Sequence, residues 1–132
     1  MQLIREINDG FKIQNPKDVL KYVEEFKDED REHFIALGLD TNNKVMYRDI
    51  VSIGTLNSGV VHPREVFKKA IINSVNSIIV LHNHPSGTTT PSKEDIEVSK
   101  KLKSAGDILD IKVIDFLILT TEGLFSYSTN ID

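Results

Sequence analysis

The run Ser77-Ile78-Ile79-Val80-Leu81-His82-Asn83-His84-Pro85-Ser86-Gly87-Thr88-Thr89-Thr90-Pro91-Ser92-Lys93-Glu94-Asp95 decides how the rest of the chain is read. Ile78 to Leu81 is short and wholly apolar, the pattern of a strand buried on both faces of a sheet. If the strand stays extended to His84, then His82 and His84, two positions apart, project to one side, where both imidazoles can grip one ion. Pro85 stops the strand, and the Gly, Thr and Pro of residues 86–91 suit a turn. Ser92 then opens a helix whose first turn carries Asp95 back toward the histidines. Two imidazoles and a carboxylate leave one position of a tetrahedral zinc open to water, as in a catalytic site. Structural zinc sites are normally closed by four protein ligands, usually with thiolates, and this chain has no cysteine. A simpler reading exists for each part alone. A histidine near a strand end is often only hydrogen-bonded, and Ser92-Lys93-Glu94-Asp95 fits a capping box in which Asp95 bonds back to the Ser92 amide. The conjunction of the three favours the metal site.

The stretch closely resembles the metal signature of the JAMM (MPN+) metalloprotease family: two histidines one residue apart, seven further residues, Ser, and Asp three positions on. Carried over residue by residue, the resemblance implies His82, His84 and Asp95 as zinc ligands and Ser92 as the residue that helps stabilise the tetrahedral intermediate. The text around Val61-His62-Pro63-Arg64-Glu65-Val66-Phe67 and His82-Asn83-His84-Pro85-Ser86-Gly87 resembles the bacterial RadC branch of that family. The similarity runs over roughly residues 16–128 and implies the MPN (JAB) fold. Phe116 and Thr120 depart from it, since many RadC-like sequences have His and Gly at about these places.

The length, 132 residues, predicts one domain over 1–132, a size at which a globule buries roughly two thirds of its unfolded surface. Larger RadC proteins carry an N-terminal helical region, which by this resemblance is not expected within residues 1–132. With 39% hydrophobic and 27% charged residues the composition is that of a soluble globular protein. No apolar run approaches the ~20 residues of a membrane span. The first residues, Met1-Gln2-Leu3-Ile4-Arg5-Glu6, carry no secretory pattern, so cytoplasm is the expected location and no membrane partner is expected. Nucleic acid is not supported by charge. The net charge is −4, and no basic grouping exceeds Lys100, Lys101 and Lys103, which read as a solvated helix face.

The remaining elements follow from turn and periodicity signals. Residues 1–14 hold an edge strand around Leu3 to Ile7 or Phe11 to Ile13, with a turn at Asn8-Asp9-Gly10 between them. Asn15-Pro16 starts a helix over 16–27 with the stripe Val19, Leu20, Tyr22, Val23 and Phe26. A charged loop leads to the strand Phe34 to Leu39, the turn Asp40-Thr41-Asn42-Asn43 and a hairpin partner from Lys44 to about Ile53. After the loop 54–61, Pro63 opens a second helix with Val66, Phe67, Ala70, Ile71 and Val75 inward. The helix from Ser92 turns Ile96, Ser99 and Leu102, or Val98, Leu102 and Ala105, inward, and Gly106 is its natural stop. A last hairpin pairs Ile111 to Leu119 with Leu124 to Tyr127 around Thr121-Glu122-Gly123. The order predicts a single-domain α/β sandwich with a mixed central sheet flanked by helices and the metal strand in its middle.

Amide hydrolysis at such a zinc needs a group to take the proton from water and return it to the leaving amine. In the resembling family the base lies at the start of the strand before the metal elements, which points to Glu32, while a slide of one residue puts His33 there. Glu65, in the first turn of the helix after Pro63, is the second candidate, although the helix dipole alone favours an acid there. His62 and Arg64 are candidates for substrate contact. Three function classes result: a zinc hydrolase of peptide or isopeptide bonds acting on a protein or peptide, a non-catalytic protein-interaction module, and an iron oxygenase built on the two-histidine, one-carboxylate triad. The last belongs on a jelly roll, which three helices contradict. The RadC name is associated with DNA repair, for which the charge balance gives no support.

Overall fold

The computed structural model describes residues 3–57 and 59–131. Met1, Gln2, Ser58 and Asp132, which fall within the expected N-terminal strand region, the loop 54–61 and the 1–132 span, lie outside the described residues. Six strands form one sheet in the order β1-β3-β2-β4-β5-β6. They are β1 (Ile4–Glu6), β2 (His33–Leu39), β3 (Val45–Ile53), β4 (Ser77–Asn83), β5 (Lys112–Thr120) and β6 (Gly123–Ser126). All neighbours are antiparallel except β4 and β5, whose parallel pairing requires a crossover. Helix α3 (Lys93–Leu109) makes that crossover, so the chain leaving the histidines enters the helix that carries Asp95.

Alternation along the central strands divides their side chains between two cores. Phe34 and Ala36 of β2, with Ile78 and Val80 of β4, pack under α2 (Pro63–Ile72) and α3. Ile35, Leu37, Ile79 and Leu81 face the opposite way, against Val19, Tyr22, Val23 and Phe26. A strand covered on both faces has no polar side, which is why β4 reads as an unbroken apolar run. Period two then sends His82 to the α3 face, with Ile78 and Val80. The same alternation puts Glu32, two residues before Phe34, on the face of His82.

Three local expectations change. The helix expected over 16–27 is broken into a 3₁₀ turn at Pro16–Val19, α1 (Leu20–Val23) and a second 3₁₀ turn at Glu24–Phe26. Val23, at φ −133°, interrupts the winding, and a three-residue repeat brings Val19 over Tyr22 and Val23 over Phe26, all four buried. Gly106 does not stop α3, which runs on to Leu109 and ends at Asp110 in the left-handed conformation, φ 57°. Gly106 is instead a point of close approach, since a Cβ there would lie 2.5 Å from the Ile111 carbonyl oxygen. Ile71 is 55% exposed rather than inward, whereas Val75 reaches the core only after the helix has ended and Ser74 has taken a positive φ of 53°. Among the described residues no helix is long and apolar enough to cross a membrane.

Candidate metal centre

His82, His84 and Asp95 meet at the end of β4, each offering a ligand atom within 4.8 Å of the others. The main-chain hydrogen bond from His84 to the Leu119 carbonyl, 2.9 Å, keeps the chain beside β5 one residue past β4 and so holds both imidazoles in register. Pro85 and Ser86 then form a turn closed by the Gly87 amide on the His84 carbonyl at 3.0 Å. That turn brings the Thr88 carbonyl to within 2.7 Å of His84 Nδ1. A carbonyl only accepts, so Nδ1 keeps a proton and Nε2 is the nitrogen left to present a lone pair to a metal.

Asp95 is buried at the third position of α3, where Ser92 caps the helix. Its amide donates to Ser92 Oγ at 3.0 Å, while its own Oδ2 accepts from the Ser92 amide at 2.7 Å and from Ser92 Oγ at 2.9 Å. The same carboxylate faces His82 Nδ1 through Oδ1 and His84 Nε2 through Oδ2, both at 2.9 Å. Burial disfavours the charge, but the two imidazoles and the Ser92 amide outweigh it and hold the Asp95 carboxyl well below the usual carboxylate range. Burial likewise opposes charge on His84, yet Asp95 and the Thr88 carbonyl prevail and raise its pKa.

The donors fit a zinc ion. Two neutral imidazoles and a carboxylate are a zinc donor set, and buried His82 Nε2 has no hydrogen-bond partner among the described residues. That nitrogen faces Glu32 Oε1 across 3.5 Å. Glu32 is partly exposed and, with His84 and Ser92, lines a cleft of about 590 Å³ beside the cluster.

The other sequence candidates lie elsewhere. Glu65 borders a different cleft, with Asp49, Lys68 and Lys69. His33 is buried, its ring against Phe26 with centroids 4.9 Å apart and its Nδ1 on the Arg31 carbonyl. His62 and Arg64 stand at the start of α2 and do not line the cleft beside the histidines. Phe116 and Thr120 are buried, Phe116 against Tyr127 in the core under α2 and α3.

Two participants left no signal in the sequence. Thr88 acts through its carbonyl, a group every residue has. Asn83, between the histidines, is 1% exposed; its Oδ1 accepts from the His33 amide at 2.5 Å and its Nδ2 donates to the Arg31 carbonyl at 2.8 Å.

Comparison with known proteins gives the family. The family model described as RadC-like JAB domain matches residues 13–131. A UPF0758 protein of Desulforamulus reducens is 56% identical over 108 residues, which cover 81% of this chain and 48% of that protein. One from Staphylococcus haemolyticus is 51% identical over 116 residues, 87% of this chain and 51% of the relative, and one from Bacillus cereus is 49% identical over 115, 86% and 51%. The chain thus spans about half the length of the curated relatives it matches. With a matching family model over nearly its whole length and relatives about half identical to it over most of the chain, the chain belongs to the RadC-like JAB domain family.

Proposed function

We propose that His82, His84 and Asp95 bind zinc and that the domain hydrolyses peptide or isopeptide bonds in a protein or peptide substrate. The observation that carries this reading is the buried His82 Nε2, which lacks a hydrogen-bond partner among the described residues, faces Glu32 and belongs to a three-donor cluster beside an open cleft. A buried polar nitrogen left unpaired costs free energy unless something meets it, and a metal ion does so.

Bound there, zinc supplies a Lewis acid that polarises a carbonyl and brings the pKa of water down to ~7. The Thr88 carbonyl fixes the tautomer of His84, so that a nitrogen and not an N–H is turned inward. Glu32 takes the proton from the attacking water and returns it to the leaving amine, a role for which its carboxylate, partly exposed at the cleft wall, has both access and reach. In the reaction the one proton of the Ser92 hydroxyl turns from Asp95 Oδ2 to the oxygen on which charge develops, while a lone pair of Oγ continues to cap α3. The substrate reaches the cluster through the cleft lined by Glu32, His84, Thr88 and Ser92.

The experiment is elemental analysis of protein purified without added metal, repeated on His84→Ala. Close to one zinc per chain in the wild type, lost in the variant, is the expected result. A metal-free wild type that also fails to take up zinc would leave the protein-interaction module as the reading.

A further inference from the structure

We infer that Asn83 is the positioning residue for Glu32: its side-chain amide continues the sheet where the backbone ladder stops and so fixes the proposed base over His82. The inference rests on the zinc-hydrolase reading for the role of Glu32, and on geometry alone for the clamp.

Backbone pairing between β2 and β4 ends at Phe34 and His82. One step on, Asn83 reaches across with an acceptor and a donor together, bonding the His33 amide and the Arg31 carbonyl. Those two groups belong to the peptide units on either side of Glu32. From the other edge, the Gly54 amide donates to the Glu32 carbonyl at 2.8 Å. The backbone at Glu32 is therefore held from both neighbouring strands, and alternation directs its side chain to the face of His82, where Oε1 lies 3.5 Å from Nε2.

The chemistry selects asparagine. A side-chain amide carries the same C=O and N–H pair as a peptide, so it can replace one rung of a sheet. Aspartate keeps the acceptor but turns a carboxylate oxygen toward the Arg31 carbonyl, and alanine leaves the buried His33 amide without a partner and the Arg31 carbonyl with His33 Nδ1 alone. Asn83 also stands between the two histidines, so base and ligands are located by one rigid three-residue stretch at the end of the central strand.

The test uses the full chain with Asn83→Ala, Asn83→Asp, Glu32→Gln and, as a control for lost stability, Ile79→Val on the same face of β4. Amide hydrogen exchange in the metal-free protein reads the clamp: His33 exchanges roughly 10-fold faster in Asn83→Ala and keeps most of its protection in Asn83→Asp, which retains the acceptor. Cobalt then reads the placement. Asn83→Ala still binds one cobalt, because no donor is touched, but its visible spectrum shifts as that of Glu32→Gln does, while Ile79→Val matches the wild type. His33 protection in Asn83→Ala equal to that in Ile79→Val overturns the clamp, and an unshifted spectrum at full cobalt occupancy overturns the positioning of Glu32. A wild type that binds no cobalt defeats the metal reading, and with it the positioning role, whereas the exchange result still decides the clamp. Should Asn83→Ala not fold, Asn83→Ser, whose side chain is too short to span to the His33 amide, carries both readouts, and unchanged His33 protection or an unmoved spectrum overturns the clamp or the positioning as before.

Discussion

Asp95 accepts the Ser92 amide at 2.7 Å through the same oxygen that lies 2.9 Å from His84 Nε2. Helix cap and metal cluster are therefore one structure, and a change to either member is felt in both. Ser92→Ala removes the hydroxyl that caps α3 and should lower stability by about 1 kcal/mol in a urea titration. It should also reduce turnover of an accepted peptide by ~100-fold or more, the scale of a lost oxyanion donor. Stability lowered with turnover unchanged would reduce Ser92 to a cap.

The His82→Ala, His84→Ala double variant should lose zinc and remain folded. The two apolar cores on either side of the sheet hold the domain together, and neither needs the metal. Circular dichroism checks the fold and elemental analysis the metal. Equal zinc content in variant and wild type defeats the assignment.

Glu32→Gln keeps the shape of the side chain and removes its basicity. Hydrolysis should fall by roughly 100-fold or more with zinc still bound. Glu65→Gln, which alters a cleft bordered by Asp49, Lys68 and Lys69, should leave hydrolysis within a factor of about two, as expected for a residue outside the reacting centre. The reverse pattern in steady-state rates would exchange the two roles.

The N-terminal segment should loosen in acid. Asp9 accepts from the Phe11 amide, Lys21 and the Tyr22 hydroxyl, and these bonds, the first above all, hold its carboxyl down at about 2 against an ordinary 3.8. A depressed folded-state value means a contribution fully present above 3.8 and lost as pH falls through about 2. Phe11 amide exchange, compared at a common intrinsic rate, should lose protection across that window. In Asp9→Asn it should not vary with pH there; an unchanged slope in that variant would point to another group.

Gly38 stands opposite Tyr47 in the β2–β3 pairing, where an added Cβ would overlap the buried tyrosine ring. Gly38→Ala should therefore cost about 1–3 kcal/mol by overpacking, measured as a shift in urea midpoint at constant slope. A neutral substitution would show that the Tyr47 ring can move.

The sequence alone determined that a buried strand ends in two histidines on one face, that a capped helix follows, and that Asp95 sits in its first turn. Each of these depends on a local rule: period two, the stop at Pro85, the Ser92 cap. The hairpins and the mixed sheet were legible for the same reason. Helix endings were less so, because Gly106 looks like a stop in one dimension and proves to be the gap through which Ile111 passes. What only the tertiary structure decided was the company the ligands keep. Glu32 and His33 differ by one position, and only the pairing of β2 with β4 turns the first toward His82 and the second into the opposite core. Asn83, separated by 50 residues from the amide it holds, and Thr88, acting through its backbone, leave no pattern a reader of the chain can follow. Local patterns follow from the chain's own stereochemistry, whereas contacts between distant residues exist only once the sheet has brought their strands side by side.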